Sequence, residues 1–183
     1  AAVGYDLLPG LPPGAKEQHP HTWRDAATQA IRRALKAARA RAAEVQAIGV
    51  SGQQHGFVPL DSDGQVIRPA KLWCDTSTAD ECEAITTALG GPEATIAALG
   101  NAVLPGFTAS KILWLKRHEP KRFARLATVL LPHDYLNHWL TGRAVMEYGD
   151  ASGTALLDVR SRRWCAQAIK AIDAELAPKL PPL

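Results

Sequence analysis

The hexapeptide Ser51-Gly52-Gln53-Gln54-His55-Gly56 sets three side chains that both donate and accept hydrogen bonds among two glycines. Amide and imidazole groups suit a polyhydroxy ligand, because each can donate to one hydroxyl and accept from the next. Gly52 and Gly56 would permit backbone angles or close approaches that a Cβ forbids. The same residues would also make a strand-to-strand turn whose polar side chains satisfy local backbone, and the pattern alone leaves both readings open. Trp73 and Asp75 follow a short apolar run nearby in sequence. Beside the hexapeptide they would supply an apolar wall and a hydroxyl acceptor; otherwise they are a core tryptophan and a helix-capping aspartate.

Other chemistry finds less support. Cys74 with His55 would make a nucleophile pair, but no family signature surrounds the cysteine. The histidines His19, His21, His55, His118, His133 and His138 show no HExxH spacing, and His133 to His138 has no acidic partner at ligand spacing. Protein-held metal is therefore not expected. Neither GxxxxGK[ST] nor GxGxxG occurs, so no phosphate loop is visible.

The elements that must position these residues alternate between strand and helix, which defines an α/β class. A helix is predicted from Pro20 to about Ala43, with Trp23, Ala27, Ala30, Ile31, Ala34 and Ala38 on one face. His19 is its N-cap, and Thr22 with Asp25 offers a capping box one turn later. The β-branched run Val45–Val50 predicts a strand leading into the hexapeptide, and Phe57–Leu60 a strand leading out. Asp61-Ser62-Asp63-Gly64 is a turn returning to Val66-Ile67, and Lys71–Asp75 a further strand. Ser77 with Asp80, or Thr78 with Glu81, would cap a helix to about Leu89. Later helices are expected from Pro92, after a Thr108 cap, from Pro120, from His133 to a stop at Thr141-Gly142, and from Trp164, with an apolar central strand at Thr128–Leu131.

With 183 residues the chain can bury a real core, in one domain or at most two. The net charge is +3, and the basic residues concentrate on the first helix as a solvated face, which argues against nucleic acid. No run approaches a membrane span and no signal peptide is visible, so a cytoplasmic protein is expected. Cys74, Cys82 and Cys165 fit neither a zinc pattern nor a disulfide framework and are expected as free thiols.

Six segments, in order, resemble the FGGY family of carbohydrate kinases and its xylulokinase-like members. Glu17-Gln18-His19-Pro20-His21-Thr22-Trp23 is similar to their E-Q-D-P-x-x-W, with His19 where Asp is usual. Gly49–Gly56 resembles G-[IVL]-S-G-Q-x-H-G, and Arg68–Asp75 resembles R-P-A-x-L-W-x-D. Gly106–His118 fits the first family signature. Leu131–Leu136 and Asp150–Thr154 match further family segments.

The resemblance implies a ribonuclease H-like domain of the actin-like ATPase superfamily. Residues 1–183 would form the N-terminal sugar-binding domain, truncated at both ends. The intact protein would phosphorylate D-xylulose with ATP and Mg2+, giving D-xylulose 5-phosphate. Gln54 and His55 would bind sugar hydroxyls and Trp73 would pack against the sugar. Asp75 and Asn101 would line or support the pocket, while Lys111 and Trp114 would be structural. The family's D-x-G-T-[ST] hairpin is absent before Ala1. Its catalytic aspartate, in a G-G-D-N-A-like segment, is expected beyond Leu183, with the ATP-binding domain. The chain alone is expected to be inactive, with no nucleotide bound. An uncovered sheet edge would invite self-association, so a homodimer is one expected partner. A non-catalytic sugar-binding module, or a kinase for ribulose, glycerol or another polyol, is the alternative. Glycerol kinases carry an Arg-Glu pair where Gln54-His55 stands, which favours a ketopentose.

Overall fold

A computed structural model describes residues 1–183. The first ladder is short: β1 (Glu17–Gln18) precedes α1 (Pro20–Ala38). Pro20 pre-sets the first helical turn, and His19 caps it, its Nδ1 accepting from the His21 N–H at 3.3 Å. The Thr22–Asp25 box does not form: the Thr22 N–H turns back to His19 O, and Asp25 lies against Arg24. α1 stops at Ala38 rather than Ala43 because Arg39 takes a left-handed conformation, φ 52°. Glu44 then accepts the Arg41 N–H and closes a separate 3-10 turn, Ala42–Glu44.

The expected strand Val45–Val50 is absent. Residues 46–53 make no backbone–backbone hydrogen bond, and Val45 and Ile48 stay exposed. A strand exists only through a paired neighbour, and β-branched composition does not supply one. β2 (Val58–Leu60) does form and pairs antiparallel with β4 (Thr128–Leu130), Val58 opposite Leu130. Their pleat serves two cores. Phe57 and Val129 face one apolar cluster with Ile85, Ile112 and Leu156. Val58, Leu60 and Leu130 face another with Trp23, Leu72 and Tyr135. Burial of each such side chain contributes about 1.5–3 kcal/mol. Thr128–Leu130 is thus covered on both faces, as its apolar run implied, but pairs along one edge only.

The turn at Asp61 forms, with Oδ1 accepting the N–H groups of Asp63 and Gln65. β3 (Ala70–Lys71) pairs with β1, and the strand expected to run to Asp75 ends at Lys71. Leu72–Asp75 is instead a turn, closed by Asp75 N–H to Leu72 O at 3.1 Å. The following helices are α2 (Ala79–Ala88), α3 (Pro92–Leu99), α4 (Thr108–His118) and α5 (Pro120–Phe123). Neither capping box of α2 forms. Ser77 Oγ is taken by Asp75 and Lys71, and Thr78 Oγ1 by Ser110. Thr108 does not cap α4 either; Phe107 holds that position.

α6 (Pro132–Thr141) follows β4 directly and ends at a left-handed Gly142. Then come α7 (Tyr148–Ala151), a 3-10 turn at Ser152–Thr154, and the hairpin β5 (Leu157–Asp158) to β6 (Arg163–Trp164). α8 (Ala166–Ile172) packs its buried Ala168, Ile169 and Ile172 into the first core. No helix is long and apolar enough to cross a membrane. Cys74, Cys82 and Cys165 are free thiols.

α4 carries a fully buried lysine. Lys111 Nζ donates to the carbonyls of Pro105, Gly106 and Phe107 at 2.8, 2.5 and 3.0 Å. Burial pushes its pKa down to about 7, against the pull of the Asp75 carboxylate. Lys111→Met leaves those carbonyls unsatisfied and should cost about 1–3 kcal/mol in urea unfolding near pH 7. The unfolded chain binds this proton up to pH 10.5 and the folded chain only to about 7. Wild-type stability should therefore gain an upward slope between those values that Lys111→Met lacks.

Candidate functional site

A cleft of about 600 Å³ opens beside the hexapeptide, bounded by Ser51, Gln54 and His55, the first turns of α6, and the segment Val145–Asp150. Val50, Val145 and Met146 are its apolar members, and the rest of the lining is polar or glycine. Of the two roles expected of Gly52 and Gly56, unusual backbone angles are not used, and positive φ falls to His55 at 55°. Close approach is used, since a Cβ on Gly52 would sit 3.0 Å from His133 Cβ. Gly153 plays the same part beneath His55, where a Cβ would collide with the imidazole.

His55 is held from every side. Its N–H donates to Asp150 Oδ1 at 3.2 Å, and its carbonyl accepts from Thr108 Oγ1 at 3.0 Å. Its ring meets Phe107 edge-on, centroids 5.1 Å apart. Nδ1 lies 2.8 Å from Asp150 Oδ1, a close ionic approach off the line of an ideal hydrogen bond.

His133 stands at the second residue of α6, between two carboxylates. Nε2 is 3.0 Å from Asp134 Oδ1 and Nδ1 is 3.0 Å from Asp150 Oδ2. Its hydrogen bonds to Asp134 and then Asp150 lift its pKa to about 10, so it is an imidazolium at neutral pH. Burial lifts the Asp134 carboxyl above its ordinary value although His133 pulls the other way. Asp134 also accepts the Leu131 N–H at 3.0 Å, capping the helix.

Of the residues singled out from the sequence, Gln54 and His55 line this cleft and the others lie elsewhere. Gln53 turns away and donates to Gln18 Oε1 at 2.9 Å. Trp73 is 52 % exposed on the 72–75 turn. Asp75 is wholly buried and fully used. It accepts from Lys16 N–H and Lys71 Nζ on one oxygen, and from Ser77 N–H and Oγ on the other. Burial alone would raise this carboxyl, but the hydrogen bonds from Ser77, Lys16 and Lys71 hold it below its usual value. Asn101 Nδ2 donates to Ser152 O at 3.2 Å and stiffens the turn after α7.

Sequence reasoning gave no site role to His133, Asp134, Asn137 or Asp150. His133 was weighed only as a metal ligand with His138, whereas the structure sets it between two carboxylates. The i, i+1, i+4 spacing of His133, Asp134 and Asn137 at a helix start could have signalled a polar face. Asp150 reaches His55 across 95 residues, and no local signal reveals that. No cluster of His, Cys, Asp and Glu has the form of a metal site.

The α/β fold is of the actin-like, ribonuclease H-like class found in solved sugar kinases. Residues 9–183 match the N-terminal domain of the FGGY family of carbohydrate kinases. The chain belongs to that family. It is 44 % identical over 167 residues to a xylulose kinase from Haemophilus influenzae, covering 89 % of this chain and 34 % of that protein. A Bacillus subtilis xylulose kinase is 39 % identical over 171 residues, covering 91 % and 34 %. A crystal structure of a xyloylose kinase from Brucella ovis superposes with TM-score 0.89 at 38 % identity, over 97 % of this chain and 36 % of that one. The chain thus spans about a third of the length of its relatives.

The raised pKa of His133 makes a signed prediction. Its folded value lies above the ordinary 6.5, so its contribution is fully present below pH 6.5 and lost as pH rises through about 10. His133→Gln should lower urea stability by about 1–3 kcal/mol at pH 6, as expected for hydrogen bonds to a charged group. The gap to wild type should close as pH approaches 10.

Proposed function

We infer that this chain supplies the sugar-binding part of an ATP-dependent kinase that phosphorylates D-xylulose to D-xylulose 5-phosphate. One observation carries the reading: Gln54 and His55 sit side by side on a cleft of about 600 Å³ whose lining can donate to and accept from vicinal hydroxyls. The volume suits a pentose, and small-ligand sites begin at about 300 Å³. The similarity to xylulose kinases supports the choice of sugar.

On this reading the residues of this chain bind and orient. Gln54 and His55 engage hydroxyls, and the apolar Val145 and Met146 meet the sugar's carbon face. Orientation matters because phosphoryl transfer depends mainly on in-line positioning and charge stabilisation. ATP is the co-substrate, bound with Mg2+. We assign no residue among 1–183 to either, since none forms a metal cluster or phosphate loop. The groups that hold nucleotide, and the aspartate that takes the hydroxyl proton, belong on this reading to chain beyond Leu183. Residues 1–183 then form an N-terminal sugar-binding domain, acting in the cytoplasm in xylose use.

A coupled ADP-release assay tests this on the complete reading frame that encodes the chain, with D-xylulose, D-ribulose, L-xylulose and glycerol. Turnover is expected to be fastest with D-xylulose, and residues 1–183 alone should give none. His55→Ala should raise the KM for sugar about tenfold or more, equivalent to about 1.4 kcal/mol, and leave the KM for ATP unchanged. Turnover of none of these sugars by the complete protein would sink the reading.

A further inference from the structure

His55 occupies a conformation that its type resists. A side chain in the left-handed region is strained and persists only where neighbours over-determine it. Here φ is 55°, and Asp150 and Thr108 hold the two backbone polar groups. The imidazole is wedged between Phe107 and the bare face of Gly153. Nothing in packing alone requires a histidine there.

Asp150 ties this residue to the far wall. Its two oxygens serve different imidazoles: Oδ1 lies 2.8 Å from His55 Nδ1, and Oδ2 lies 3.0 Å from His133 Nδ1. With Asp134 on His133 Nε2, the side chains form an alternating series, Asp134–His133–Asp150–His55. Three of the four ring nitrogens lie within 3.0 Å of a carboxylate oxygen, the His55 Nδ1 contact lying outside hydrogen-bond geometry. The fourth, His55 Nε2, has no carboxylate against it, and His55 lines the cleft. A carboxylate against Nδ1 keeps the ring proton on Nδ1 and leaves Nε2 basic. The His133 cation matters in this arrangement because it offsets the Asp150 charge.

We propose that Asp150 is the positioning residue of this cleft, fixing His55 in its left-handed backbone and Nδ1–H tautomer so that Nε2 accepts from a substrate hydroxyl. The proposal rests on the reading that the cleft binds a polyhydroxy substrate. It adds the direction of one hydrogen bond and the residue that sets it. Asp150 borders the cleft, but its two oxygens are taken by His55 and His133, and its proposed effect on the substrate runs through His55.

The test uses the complete protein, labelled with 15N on histidine, as wild type, Asp150→Ala, Asp150→Asn, His55→Ala and the His55→Ala/Asp150→Ala double variant. His55 resonances are those missing from the His55→Ala spectrum. In wild type, Nδ1 should carry the proton and Nε2 should show the shift of a bare nitrogen. In Asp150→Ala the proton should move to Nε2 in a large part of the population. The KM for D-xylulose should rise about tenfold, the loss expected for a charge-assisted hydrogen bond, with kcat and the KM for ATP within about twofold. Asp150→Asn keeps an acceptor oxygen for His55 and should fall between the two; it carries the test if the alanine variant fails to fold. The double variant should be no worse than His55→Ala, because Asp150 works only through that ring. An unmoved His55 tautomer in Asp150→Ala, or Asn where that is the variant that folds, overturns the proposal. So does a moved tautomer with an unchanged KM for D-xylulose, or additive effects in the double variant. Failure of the kinase reading is seen separately, as absence of turnover by wild type; the tautomer measurement still decides whether Asp150 sets His55.

Discussion

A buried set of charges, joined at its rim by Glu119 on Arg68 Nε, holds this molecule together. Glu17, Arg68, Lys71 and Asp75 are each under 8 % exposed, and they bring two carboxylates against two cations. Arg68 Nη2 grips Glu17 at 2.8 and 2.9 Å, and Lys71 Nζ reaches Asp75 at 3.0 Å and Glu17 at 3.4 Å. Taking four charges from water is tolerable only because each finds good partners; removing one would strand another at about 3–5 kcal/mol. The set links the segment before α1, the β3 strand and the turn after it, alongside a two-residue ladder and the bonds of Leu72 N–H to Lys16 O and Thr76 N–H to Gly14 O. It also presses on α4, with Lys71 Nζ 4.2 Å and the Arg68 guanidinium 5.1 Å from the centroid of Trp114. The aspartate that looked like a ligand group is thereby committed to the frame.

α4 carries that constraint to the cleft. Its middle bears Trp114 under the cations, and its first turns bear Lys111, whose ammonium gathers the 105–107 carbonyls. Those residues lead into Phe107 and Thr108, which touch the His55 ring and carbonyl. A buried charge that no ligand meets thus sets the register of the wall on which His55 leans. Rigid support of this kind is what a positioning site demands, since misplacement by about 1 Å can cost two orders of magnitude in rate.

The parts of this arrangement visible in the sequence were those encoded locally. Proline starts, the Gly142 stop and the Asp61 turn depend on a few adjacent residues, and the structure keeps them. The placing of Gln54 and His55 on a cleft also followed from glycine spacing, although the glycines act by closeness to His133 and Pro132 rather than by unusual φ. Val45–Val50 failed because a strand is a property of two segments, and its composition spoke for one. The caps assigned to Ser77, Thr78 and Thr108 failed because those hydroxyls had stronger or more distant partners: a buried ion pair, Ser110 and the His55 carbonyl. Asp75 failed as a ligand for the same reason. Asp150 was hidden altogether, being joined to the hexapeptide only by the fold.

The most instructive residue is His133, because local electrostatics oppose it. The start of a helix presents the positive end of the macrodipole, and a cation there is disfavoured by about 0.3–1 kcal/mol. An imidazolium at the second position of α6 should therefore be lowered, yet it is lifted to about 10. The two carboxylates at 3.0 Å outweigh the dipole, and Asp134 does so while also capping the helix through Leu131. Gly52 lets the hexapeptide backbone pass directly over this residue, where a side chain would push the two walls apart. The cation is thus part of the cleft's architecture. It joins Asp134 to Asp150, and Asp150 in turn holds the His55 backbone at the cleft.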